Sequence, residues 1–273
     1  MQMIMEKVRK YFRKVIEILS LKELRILPAY LSYSFVLAIM PIITIIVIVA
    51  GFFSISIDMV IDILNDLLPN YASRIVVGAI SGESFDFNVG ILNVITFVIA
   101  ANGMYAVILA SNSLYRIDNS SVIRDRIKSF IILVIIILLL LFLILFPMLG
   151  DKILDIFSNY ELFKNIDIDL QLIYKAIKWP LTFLIIFFNI KIIYKIAPSK
   201  NIRSDETTVG AFVTTVGWAL FTGIFGYYIN YFGRYDLIYG GLSNIIILLI
   251  WIYVLSFILI LGIVVNTMKY NKS

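Results

Sequence analysis

Neither histidine nor cysteine occurs among the 273 residues of this sequence. The commonest general base, the commonest transition-metal ligand and the thiolate nucleophile are therefore all missing, and disulfides cannot form. One route to hydrolysis remains, a set of carboxylates holding two divalent ions. On the basic loops the carboxylates are Glu6, Glu17, Glu23, Asp118, Asp125, Asp205 and Glu206, scattered singly apart from the last two. There is no GxxxxGK[ST] phosphate loop. Enzymatic chemistry is not expected, and neither is a cofactor, a metal or a nucleic-acid partner. What remains are uncharged polar residues inside apolar runs: Asn93, Thr96, Asn102, Asn189, Asn244 and Asn266. Such groups either hydrogen-bond between helices in hydrocarbon or line a polar path for a solute. A further polar contact comes from Pro41, which removes a backbone donor and leaves the carbonyl of Leu37 without its usual partner.

The elements that hold these residues read as membrane helices. Hydrophobic residues make up 61% of the chain and charged residues 15%, with a mean hydropathy of +0.98, whereas a soluble domain is about half apolar and about a quarter charged. Crossing a hydrocarbon core takes about 20 apolar residues. Six segments qualify: 27–52, 89–114, 127–149, 173–196, 209–231 and 242–268. Pro28 sits at an expected first helical position of the first span, Pro198 closes the fourth, and Lys175, Lys178 and Pro180 crowd the start of the fourth. With both termini inside, seventeen Lys/Arg fall on inner segments. Six fall outside: Arg74, Lys152, Lys164, Lys175, Lys178 and Arg234. Every loop obeys the positive-inside rule, so the basic charge is accounted for by topology. The expected fold class is an all-α integral membrane protein with six transmembrane helices.

Three flanking pieces complete this reading. Residues 1–26 carry Ile4, Val8, Tyr11, Phe12, Val15 and Leu19 on one helical face, with Lys7, Arg9, Lys10, Arg13 and Lys14 on the other. That pattern predicts an amphipathic helix in the cytoplasmic interface, drawn to anionic lipid. A secretory signal would have a shorter apolar region and a small-residue cleavage site, so this start is expected to be retained. Asp58, Asp62, Asn65 and Asp66 share a face and predict a short extracytoplasmic helix, while 269–273 form a cytoplasmic tail.

Within the spans, Ala211, Thr215, Ala219 and Gly223 recur at four-residue steps, with Gly210, Gly217 and Gly226 nearby. Small residues let helix backbones approach closely, so the fifth span is expected to be central. On the second span Asn93, Thr96, Ala100, Gly103 and Ser111 share a stripe and Asn102 points the opposite way. No charged residue falls near the middle of a span by position, which disfavours proton relays and voltage sensing. The two halves show no internal similarity of the inverted-repeat kind.

The stretch "LSYSFVLAIMP" (31–41) resembles the opening signature of the YihY/BrkB family, with Leu31, Tyr33 and Pro41 in register and Ser34 and Ala38 in place of a tyrosine and a serine. "YGGLSNIIILLIWIYVLSFILILGIVVN" (239–266) resembles the closing signature through Tyr239, Gly240, Trp251, Tyr253, Gly262 and Asn266. Pro198 with "TVGAFVTTVGWALFTGIFGYYI" is similar to the segment between them. The resemblance implies six spans in a bacterial inner membrane. Members have been called ribonuclease BN, linked to serum resistance and discussed as transporters. A transporter or lipid-translocating protein is the leading expectation, with a groove where the Pro41-kinked first span meets the small-residue span. The alternative is a non-catalytic scaffold or assembly protein that binds partners through helix faces. Expected partners are membrane lipids and a small or amphiphilic substrate; homo-oligomerisation stays open.

Overall fold

A computed structural model describes residues 22–52, 58, 61, 62, 65, 90–159, 170–232 and 242–270. The described residues form six helices and no strand: α1 (Lys22–Phe52), α2 (Gly90–Leu114), α3 (Val122–Asn159), α4 (Leu170–Ile196), α5 (Thr208–Phe232) and α6 (Ser243–Tyr270). Among them, Ile95–Leu114, Thr208–Ile229 and Ser243–Met268 are long and apolar enough to cross a membrane. The basic face of residues 1–21, together with Tyr239, Gly240, Asp66 and residues 271–273, lies outside the described residues. Asp58, Asp62 and Asn65 are helical and exposed.

Two helices differ from their expected bounds by five residues or more. α1 starts at Lys22, so Pro28 lies inside it together with Pro41 and not at its first position. Each proline withdraws one donor from the ladder, but the stem is long enough for the helix to continue through both. Nearby hydroxyls bond to the same stretch of backbone: Ser32 Oγ donates to Ala29 O at 2.9 Å and Ser34 Oγ to Tyr30 O at 3.0 Å. α3 runs for 38 residues, about 57 Å at about 1.5 Å per residue, well beyond the 127–149 span.

Each helix packs on its neighbours in sequence, and α6 closes the ring by packing on α1. Among the described residues the main apolar core includes the end of the ring where α1 begins and α6 finishes, here called the basal end. Leu24 and Leu31 of α1 meet Val107, Ile108, Ile132, Leu133, Ile190, Ile260 and Ile263 there. Two close approaches bring backbones together. A Cβ on Gly103 of α2 would lie 3.1 Å from Ala38 Cβ and 3.3 Å from Phe35 Cδ1 on α1. A Cβ on Gly210 of α5 would run into the carbonyl oxygen of Gly262 on α6, so Gly210 excludes any side chain at this separation, whereas one at Gly103 would need its neighbours to give by a few tenths of an ångström.

Candidate functional site: a surface cleft and the polar contacts around it

α1 is two-faced. Leu31, Ser34 and Ala38 point into the bundle and are buried, while Ile26, Tyr30, Tyr33 and Leu37 recur at helical spacing on its exposed side. Where that exposed side turns toward α6, a cleft of about 360 Å³ opens, lined by Ser32, Tyr33 and Val36 of α1 and by Leu249, Ile250 and Tyr253 of α6. Its floor is apolar: Leu248 and Ile252 pack under Phe35, Val36, Ile39 and Trp251. Tyr33 is 65% exposed, and Leu37 follows one turn on along the same stripe at 52%. The cleft therefore offers mostly apolar walls with two tyrosines among them. An amphiphile matches such a lining, whereas a strongly hydrated ion does not.

The groove was expected between the first span and the small-residue span. That pairing is corrected by the structure: α6 occupies the place beside α1, and α5 packs on the other side of α6. The reason is the Gly210–Gly262 approach, which draws α5 onto α6. There the backbone N–H of Gly210 donates to Asn266 Oδ1 at 2.7 Å, Trp218 Nε1 to Leu255 O at 2.9 Å and Trp251 Nε1 to Thr222 Oγ1 at 3.3 Å. Tyr194 of α4, fully buried, completes the seam. Its hydroxyl donates to Leu259 O at 2.7 Å and lies 2.6 Å from Thr214 Oγ1.

The small-residue stripe divides between two environments. Ala211 and Thr215 are buried and Gly217 meets Ile258, but Ala219 is exposed and Gly223 has nothing near its would-be Cβ. Four-residue steps advance about 40° per step around a helix of about 3.6 residues per turn. Three steps therefore carry Gly223 off the buried face.

The polar span residues do not meet in one path. Asn93 lies on α2 with its side chain outside the described part, Thr96 is half-buried and Asn189 is buried on α4. Asn244 and Asn266 sit near opposite ends of α6, and each keeps one buried atom, Oδ1 and Nδ2 respectively, without a hydrogen-bond partner among the described residues. Asn102 faces outward on α2, opposite the buried Ala100, Gly103 and Ser111, and accepts a hydrogen bond from Arg126 Nη1 at 2.6 Å.

A buried network at the basal end was not legible as a site. Asp125, only 1% exposed, begins α3 and accepts from Asn112 Nδ2 at 3.0 Å and from the hydroxyl of Ser199. The backbone N–H of Ser199 returns a bond to Asn112 Oδ1 at 2.7 Å, and Lys128 Nζ donates to Pro198 O at 2.9 Å. The α2–α3 and α4–α5 connections are thus latched around one carboxylate. In sequence Asp125 stands between two arginines and reads as part of a solvated charge run. Among the described residues no three carboxylates gather into a metal-holding group.

Residues 16–273 match the family described as Virulence factor BrkB. The chain belongs to that family. Three relatives are similar to this BrkB-family chain. YfkH of Bacillus subtilis (strain 168), named ribonuclease-like, is 25% identical over 89% of this chain and 89% of its own length. The UPF0761 membrane protein YihY of Salmonella arizonae is 31% identical over 62% of this chain and 56% of its own. A UPF0761 membrane protein of Coxiella burnetii (strain Dugway 5J108-111) is 35% identical over 34% of this chain and 33% of its own. No solved structure matches. The BrkB chain's signature positions fall into two groups. Leu31, Gly262 and Asn266 are buried in helix contacts, Trp251 bridges to α5, and Pro41 is half-buried. Tyr33 and Tyr253, from opposite ends of the sequence, both line the α1–α6 cleft.

Proposed function

We propose that this BrkB-family membrane protein moves lipids or related amphiphiles between the leaflets of a bacterial inner membrane, by a non-enzymatic route along the α1–α6 cleft. In this reading all six helices cross the bilayer and both termini are cytoplasmic, in keeping with the loop charges. The observation that supports it is the convergence of Tyr33 and Tyr253 on one apolar cleft open to the outer surface of the bundle. A headgroup can bond to the phenols while acyl chains stay in hydrocarbon, so the passage needs no buried charge. The half-buried Pro41 lies one turn beyond Leu37 on α1, where the missing N–H loosens the wall of the cleft.

Reconstitution with fluorescent phospholipids and a membrane-impermeant quencher tests this. Quenching should pass the outer-leaflet half, scale with protein content and fall in Pro41→Ala, which stiffens α1. Folded protein whose quenching stalls at one half would rule out passive lipid movement. A protein partner recovered at stoichiometric yield by crosslinking in native membranes would then support the scaffold role.

A further inference from the structure

Arg126 is the fifth residue of α3, yet its guanidinium does not turn away from the apolar region. Nη1 donates to Asn102 Oδ1 at 2.6 Å, and Cζ lies 4.5 Å over the ring of Tyr105. Asn102 is the central residue of α2, with twelve helical residues on either side, and lies within the Ile95–Leu114 candidate span. Arginines near the ends of membrane helices ordinarily reach outward to the interface. This one reaches along α2 toward its middle, on the exposed side of the helix.

Its partners do not neutralise it. A guanidinium presents five donors in a planar fork, and the described structure gives Arg126 one neutral acceptor and one aromatic face. The adjacent carboxylate, Asp125, is turned the other way and taken up by Asn112 and Ser199. Lys128, one turn on, is held by Pro198 O. Exposed isoleucines stand near Asn102 and Arg126 in sequence on both helices: Ile95 and Ile99 on α2, Ile127 and Ile131 on α3. The result is a half-buried positive fork with free donors, set in an apolar surface at mid-helix depth.

We propose that Arg126, Asn102 and Tyr105 form a site for the phosphodiester of an anionic phospholipid on the α2–α3 seam. The fork matches two phosphate oxygens in parallel, Asn102 and Tyr105 hold the guanidinium at that depth, and the isoleucines face the acyl chains. The site is separate from the α1–α6 cleft. It rests on α2 crossing the bilayer and not on lipid translocation, so failure of the quenching assay would leave it standing.

The test is native mass spectrometry of the full chain titrated with phosphatidylglycerol and with phosphatidylcholine of the same acyl chains. The wild type should prefer phosphatidylglycerol. Arg126→Gln should lower that affinity about ten-fold, the loss of a charge-assisted pair, while Arg124→Gln, whose side chain is exposed on the same turn, should leave it unchanged. Equal losses in the two variants would overturn the site in favour of a diffuse basic surface. An unchanged Arg126→Gln would overturn it outright. Displacement of phosphatidylglycerol by millimolar inorganic phosphate would assign a free-anion site instead. If Arg126→Gln does not fold, Asn102→Ala carries the test: it keeps the charge but removes its anchor, and an undiminished preference for phosphatidylglycerol would refute the proposal.

Discussion

Gly262→Ala isolates the contact that fixes the order of the helices. A methyl group there would run into the hydroxyls of Thr214 and Tyr194 and come within 2.9 Å of the Gly210 carbonyl oxygen. The hydroxyls cannot simply swing aside. Tyr194 is fully buried and already spent on Leu259 O at 2.7 Å and Thr214 at 2.6 Å. Overpacking of this kind costs about 1–3 kcal/mol. Displacing the two tyrosine bonds adds about 1 kcal/mol in all, since hydrogen bonds between membrane helices average about 0.6 kcal/mol each. A loss of about 2–4 kcal/mol corresponds to a fall of about 5–15 °C in the melting transition for a chain of this size. Thermal unfolding of the purified protein in detergent, followed by tryptophan emission and size-exclusion recovery, measures it. Gly223→Ala is the internal control. Its Cβ meets nothing within 4 Å, so it should be neutral or stabilising by up to about 1 kcal/mol from helix propensity. Equal melting temperatures for Gly262→Ala and the wild type would refute the close approach of α5 and α6, and with it the reason α6 lies beside α1.

Three further outcomes are expected. Asp125→Ala leaves Asn112 and Ser199 without their shared acceptor, which costs about 1–3 kcal/mol; limited proteolysis should then cut the 197–207 connection faster, and an unchanged rate would show that the latch does not hold it. Asn266→Ala removes the acceptor for the Gly210 N–H, and the melting temperature should fall by less than in Gly262→Ala, because no atom is forced into the seam. Val36→Trp fills the cleft from the α1 side and should slow lipid quenching in proteoliposomes with little effect on melting; undiminished quenching would move the pathway elsewhere.

Periodicity and composition were enough to read the helices, because long apolar runs have few alternatives. The latch at Asp125 was hidden by its neighbours: a carboxylate between two arginines looks solvated until Asn112 and Ser199 arrive from other connections. Tyr194 gave no signal either, since one tyrosine in an apolar run looks like any other. A stripe of small residues at four-residue steps drifts around α5, which explains why only its first half, Ala211 and Thr215, is buried. Tyr33 and Tyr253 drew notice only as parts of separate signatures. That they share a cleft follows from ring closure, which no local pattern encodes. By position Arg126 belongs to a loop, and the length of its side chain carries the charge to the middle of α2.

Ring closure also has a consequence for biosynthesis. Residues Phe35, Val36 and Ile39 of α1 pack against α6, the last in sequence of the six described helices. Throughout translation of the intervening chain, that face of α1 must wait uncovered or be sheltered by something other than its final neighbour. A ribosome stalled before residue 243 would leave a nascent chain in which α1 still lacks its mate. The α1–α6 seam, and the cleft within it, thus comes into being only after α6 has been made.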